Sequence, residues 1–237
     1  MGVLRLVAAL IVAAAVGGCA STPRQQAFNP AERTAIRTIG VLTPAISDEI
    51  AVRLFVHPVE SLGVIGMLIA AGDMSGKTHE FTTALNARGF MCRRQFRDDL
   101  LEGLRSAGYE VRVVPTTRSP GTYAFASDYP DGDPSIDAYL DLYSGLVGYT
   151  AAGISTPYRP TVYLGARLVR ARDHRVIYQD AIAYNAFGEP RDMVTIAPTT
   201  DYDFMAFDDL MARQDRAVEG LRVALKATGT ELARQLR

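Results

Sequence analysis

The residues best suited to chemistry lie in the run IAAGDMSGKT, residues 69 to 78. Ala71, four residues, then Gly76-Lys77-Thr78 approximates a phosphate-binding loop placed after an apolar run, Val64 to Ala71. Such a loop needs backbone N–H groups around phosphate, a lysine on the β and γ oxygens and a hydroxyl on Mg²⁺. The stricter pattern has Gly where Ala71 stands. No acidic residue after a second apolar strand is placed to hold the metal. The same stretch also makes a turn and a helix start. Asp73 or Ser75 would be the N-cap, and Glu80 would sit in the first turns, where negative charge suits the helix dipole. The helix start is the favoured reading.

A second cluster is acidic. The loop DYPDGDPSID supplies Asp128, Asp131, Asp133 and Asp137. Oxygen ligands at that density suit Ca²⁺, although the spacing departs from the EF-hand and lacks its bidentate Glu. Asp, Pro and Gly also build turns. The adjacent carboxylates Asp98-Asp99 and Asp208-Asp209 read as solvated helix faces and not as an acid/base pair. His57, His79 and His174 are scattered without metal-ligand spacing. G-x-S-x-G, H-E-x-x-H and a recognisable Cys–His spacing are all absent from the sequence. The expectation is a protein that is not an enzyme and has no cofactor and no metal centre. A ligand- or Ca²⁺-binding role for the Asp loop is the alternative, with an envelope hydrolase behind it.

The remaining reactive residue is Cys19, in MGVLRLVAALIVAAAVGGCA. Arg5 precedes an unbroken apolar run, Leu6 to Val16, of signal-peptide length. A transmembrane helix needs roughly 20 apolar residues. Val16-Gly17-Gly18-Cys19 resembles the bacterial lipobox: an aliphatic residue, two small residues and the cysteine that becomes lipidated. An ordinary secretory signal with an accidental cysteine, or a short anchor helix, are the other readings. The lipobox resemblance implies that the mature chain begins at Cys19 and is held by acyl chains, each buried CH₂ adding about 0.8 kcal/mol. Ala20 and Ser21 follow, without the Asp that retains such proteins in the inner membrane. The resemblance therefore implies an outer-membrane anchor facing the periplasm. That compartment contains essentially no ATP, which weighs further against a nucleotide loop. With Cys19 acylated, Cys92 has no partner and reads as a buried, inert thiol.

The chain has 237 residues, 25 basic and 26 acidic, with no basic block of the kind that marks a nucleic-acid surface. Hydrophobic residues make up 48%, enough for one sizeable core. The expected division is a signal peptide over 1–18, a lipidated N-terminus and flexible tether over 19–35, and a single periplasmic domain over 36–237. Within the domain, residues 38–42 read as a buried strand stopped by Pro44, and 50–56 as a second. Segment 61–72, SLGVIGMLIAAG, reads as a buried piece or as an exposed apolar contact. Residues 76–107 read as helix broken near Gly89, with Phe96, Leu100, Leu104 and Ala107 on one stripe and Gly108 closing it. Strands follow at 109–114 and 136–152, the second with a Gly-marked bend. On it Tyr139, Asp141 and Tyr143 share one face, with Leu140 and Leu142 on the other. Residues 115–135 and 185–200 read as loops. A hairpin spans 161–185 with its turn at Asp173-His174-Arg175. Phe204, Phe207, Met211, Val218, Leu221, Leu225, Leu232 and Leu236 predict a final amphipathic helix.

This order predicts an α+β sandwich: a mostly antiparallel sheet with helices packed on it. The stretches IRTIGVLTP at 36–44, LLEGLRSAGYEVRVV at 100–114, IDAYLDLYSG at 136–145 and PTVYLGARLVRARDHRVIYQDA at 160–181 carry a further resemblance. In that order, after a lipobox, they resemble a group of periplasmic lipoprotein domains. The group includes the curli-secretion lipoprotein and the lipoprotein activators of penicillin-binding proteins. Two departures stand out: Asp173-His174-Arg175 replaces the usual Gly of the hairpin turn, and Asp137-Ala138-Tyr139 stands where Ala-Asp-Tyr is usual. The resemblance implies a non-enzymatic assembly, secretion or envelope-complex component. Its expected partners are the membrane, through the lipid, and either itself or another envelope protein, with no nucleic acid.

Overall fold

Three long strands rich in β-branched and aromatic residues form the centre of the fold. β5 (Ala138–Ala151), β6 (Arg159–Arg170) and β7 (Val176–Tyr184) pair antiparallel, as their alternation predicts. The computed structural model describes residues 25–55, 64–119, 121–131, 133–187 and 190–237. Residues 1–18, read from sequence as a signal peptide, and the lipobox-like residues Val16, Gly17, Gly18 and Cys19 lie outside them. The β6–β7 turn falls at the expected place and holds His174 at φ 53°. This is the left-handed region, which costs an L-residue about 1–2 kcal/mol. The register of β5 shifts between Tyr143 and Leu146, at the bend anticipated around Gly145.

The remaining pairings are parallel. β1 (Thr38–Leu42) lies between β5 and β4 (Glu110–Val114), parallel to both. β2 (Ala45–Ile46) and β3 (Ala51–Leu54) continue along the same edge of β5. β8 (Val194–Ile196) runs parallel to β7. The order is β4-β1-β5-β6-β7-β8, with β2 and β3 on β5. The sheet is therefore mixed, not mostly antiparallel. The physical reason is the connection from β3 to β4, which passes through two helices and returns the chain in the same direction. β8 falls in the stretch read as loop; a three-residue strand is too short to show a period of two. Gly148 is required where β3 meets β5, because a Cβ there would overlap the Ala51 backbone.

α1 (Pro30–Arg33), α2 (Val64–Ala87), α3 (Cys92–Ser106), α4 (Phe207–Ala212) and α5 (Gln214–Gln235) are the α-helices of the described residues. α3 buries Phe96, Leu100 and Leu104, and α5 buries Val218, Leu221, Leu225 and Leu232, all in one core with Leu140, Leu142 and Leu164 of the sheet. Gly89, at φ 73°, separates α2 from α3. The final apolar stripe is not one helix: the chain breaks at Arg213 between α4 and α5, and Phe204 pairs its backbone with Tyr158.

Two expectations about local structure are corrected. Asp73 and Ser75 are not caps, because α2 already begins at Val64 and the apolar run itself is helical. Asp73 accepts from Lys77 one turn on, at 2.8 Å. Residues 25–35 are not a free tether. Gln26 bridges Gln179 of β7, Phe28 is buried, and Glu32 pairs with Arg170 and Arg175. The polar composition that suggested a tether supplies the ion pairs that dock it.

Candidate functional site

Thr78, the hydroxyl of the phosphate-loop pattern, acts on the sheet. It accepts from the Val52 N–H at 3.0 Å and faces the Val52 carbonyl at 3.4 Å. Thr82 does the same for Ile50, at 2.9 and 3.5 Å. Residues one helical turn apart match strand residues two apart, so α2 closes the otherwise open edge of β3. Gly76-Lys77-Thr78 is continuous helix, and the loop of free N–H groups that phosphate needs does not form there.

A dense polar constellation lies on the sheet face opposite the main helical layer. Alternation along β5 puts Tyr139, Asp141 and Tyr143 there, as the sequence predicts. Asp141 is fully buried. One carboxylate oxygen accepts from the Arg118 guanidinium, and the other accepts from the Ala126 N–H at 2.7 Å and the Tyr129 hydroxyl at 3.1 Å. Arg118 also donates to the Thr43 carbonyl at 3.1 Å. Burial pushes the Tyr129 phenol above its ordinary pKa, with the Arg167 hydrogen bond opposing, so it remains a protonated donor. Arg167 stacks 4.0 Å from the Phe125 ring centre and donates to Gln179 at 2.6 Å. Phe125 meets Tyr143 edge-on at 4.8 Å. Tyr143 in turn covers Gly165, where any Cβ would collide with the ring. The loop 115–131 is thereby strapped across the sheet. A cavity of about 390 Å³ remains within it, lined by Arg118, Phe125 and Asp128 among others.

The four aspartates of the acidic loop go to different places. Asp128 accepts from the Ser127 hydroxyl. Asp131 lies 3.4 Å from His174 Nε2. Asp133 caps the turn at Ser135, whose hydroxyl and N–H hold its pKa below the usual carboxylate range. Asp137 accepts from the N–H groups of Arg37 and Thr38, both at 2.8 Å, at the start of β1. Asp133 and Asp137 share an open cleft of about 360 Å³ with Glu32, Tyr139 and Arg170. Among the described residues, no group of three His, Cys, Asp or Glu side chains is close enough to hold a metal ion. Cys92 is buried at the start of α3, and burial, helped by Asp48, pushes its thiol up to about 12.

Sequence reasoning missed Arg118 and Glu32. Each sits in a stretch whose composition said only loop or tether, and each finds its partner more than 20 residues away. Asp141 was assigned its face but not its role. An acidic residue flanked by Leu140 and Leu142 was the available signal, since a buried carboxylate requires a counter-charge.

No protein-family model matches the chain, and no curated protein matches it. Among solved structures it is similar to protein XCC0632 from Xanthomonas campestris, at 15% identity over 89% of each chain with a TM-score of 0.44. It is also similar to PelC, a dodecamer from Paraburkholderia phytofirmans, at 12% identity over 90% of this chain and 94% of that one, TM-score 0.39. The lipoprotein GNA1162 from Neisseria meningitidis shares 14% identity over 62% of this chain and 81% of its own, TM-score 0.27. Likeness this distant does not transfer function. Among the described residues, no helix is long and apolar enough to cross a membrane.

Proposed function

We propose that this chain is an outer-membrane-anchored periplasmic lipoprotein that works through protein–protein contacts, as a self-assembling scaffold or an adaptor of an envelope complex, and not through bond chemistry. The observation that carries the reading is how the chemically able side chains are used. Asp141 and Arg118 neutralise each other while fastening a loop. Thr78 closes a strand edge and Lys77 pairs with Asp73. The Cys92 thiol is protonated and enclosed. These groups build a rigid, shaped surface and leave their own reactivity occupied. The lipobox-like run at 16–19 supports the anchor.

The test is cross-linking of the protein in cells, then purification from membranes and mass analysis. A ladder of multiples of the chain supports a scaffold, and one foreign partner supports an adaptor. Neither product overturns the reading and returns weight to a small-ligand or ion-binding role. In that case a Ca²⁺-dependent rise in melting temperature, lost in Asp131→Ala and Asp133→Ala, would identify the acidic loop. Unchanged processing and membrane fractionation of Cys19→Ser would remove the anchor from the proposal.

A further inference from the structure

We infer that the end of the domain carrying Phe55, Ile154 and Met205 rests on a lipid bilayer, in the boundary between headgroups and acyl chains. The inference builds on the proposed acylation of Cys19.

Three segments converge at one end of the sheet. The Phe55 N–H donates to the Ala151 carbonyl at 3.0 Å, which places Phe55 beside the end of β5. Ile154 lies in the connection from β5 to β6. Met205 follows Phe204, whose backbone bridges Tyr158 at the end of that same connection. Their exposures are 48%, 69% and 62%, whereas most large apolar side chains among the described residues are buried. The Phe187 ring, 4.2 Å from Phe55, extends the group. α2 reaches this end too. Its register on β3, Thr82 to Ile50 and Thr78 to Val52, makes it antiparallel to the strand. The helix continues roughly 14 residues back from Thr78 to Val64, about 21 Å, whereas β3 stops shortly after Val52. Its first turns therefore run past the end of β3, and the sequence Val64 to Ala71 contains no charged residue.

The N-terminal segment points the same way. Gln26 pairs antiparallel with Gln179, and Gln25 donates to Asp180. Going backward from Gln25 therefore leads toward Tyr184. Tyr184 is paired with Val162 near the start of β6, and so faces the Ile154 end. From the level of Asp180, opposite Ala166, to Arg159 is about 23 Å of strand. From Cys19 to Gln25 is roughly six residue steps, at most about 22 Å when extended. Chain of that length, leaving the fold in the direction set by Gln25 and Gln26, is long enough for the acylated residue to come near the level of Phe55, Ile154 and Met205. A bilayer is then the surface that meets them, and exposed apolar side chains beside an acyl anchor add to its hold.

The experiment uses the full-length, acylated protein purified from membranes and reconstituted into phosphatidylethanolamine/phosphatidylglycerol vesicles. An environment-sensitive fluorophore is attached at Ile154→Cys, at Met205→Cys or at Val113→Cys. Val113 is 50% exposed on β4, far along the sheet, and serves as the control. The buried Cys92 thiol does not compete for label. Blue-shifted emission quenched by nitroxide lipids at 154 and 205, but not at 113, is expected. Equal, unquenched emission at all three sites, in protein that floats with the vesicles and carries acyl mass, would overturn the inference and leave the anchor standing. A shift at 154 that depends on protein concentration without lipid quenching would overturn it in favour of a second copy. Protein without acyl mass, floating no better than Cys19→Ser, would remove the anchor and the inference with it.

Discussion

At the residue scale, Asp141 fastens the loop 115–131 to the sheet through Arg118, Ala126 and Tyr129. Asp141→Asn leaves the mostly buried Arg118 guanidinium without its counter-ion. Breaking a buried pair from one side costs about 3 kcal/mol or more. The expected outcome is a lower urea midpoint together with faster tryptic cleavage at Arg118. An unchanged midpoint would show that the strap contributes little. Cys92 gives the pH dependence. An unfolded thiol ionises near about 8.5, whereas the folded one, raised by burial, holds its proton to about 12. Above pH ~8.5 the native state therefore binds more protons than the unfolded state, and stability falls as pH rises toward 12. The contribution of the neutral thiol is complete below that window. Comparing the chain with Cys92→Ala between pH 8 and 11 should show a shallower alkaline loss in the variant.

At the scale of elements, α2 is a lid on a strand edge. An open edge presents unpaired N–H and C=O groups to other chains. Thr78→Val together with Thr82→Val keeps the shape and removes the hydroxyls from Ile50 and Val52. Each orphaned backbone group costs about 1–3 kcal/mol. The double variant should melt earlier and aggregate on heating, as light scattering would report. The same geometry explains why the helix boundary was misplaced from sequence. Asp73, Ser75 and Gly76 carry turn signals, but helical packing of the flanking residues against β3 and the Asp73–Lys77 pair override that local preference.

At the scale of the whole molecule, the N-terminal segment fixes how the domain is presented to whatever holds it. Glu32 binds Arg170 and Arg175 together, and Glu32→Ala would leave Arg175 without this carboxylate and Arg170 with Asp173 alone. A loss of about 2 kcal/mol is expected locally. It should appear as faster tryptic cleavage at Arg33 while the urea midpoint of the domain moves little. A protection pattern identical to the parent chain would mean that Phe28 and the Gln26 bridge hold the segment without help.

The hairpin of β6 and β7, the bend in β5 and the stripes of α3 and α5 were legible in the sequence, whereas the first turns of α2 were not. The sequence also placed Asp141 on a face away from Leu140. These follow from periodicity and turn chemistry, which are local. That the sheet is mixed emerged in the folded chain alone, because strand direction depends on a crossover that no strand records in its own residues. Only the folded chain showed that Arg118 closes on Asp141 and Glu32 on Arg170, since those charges meet across long stretches of chain. It also separated the four aspartates that composition had grouped. Asp128 and Asp133 take donors from neighbouring serines, whereas Asp137 meets the Arg37 and Thr38 N–H groups and Asp131 lies beside His174 only because the fold brings distant segments together.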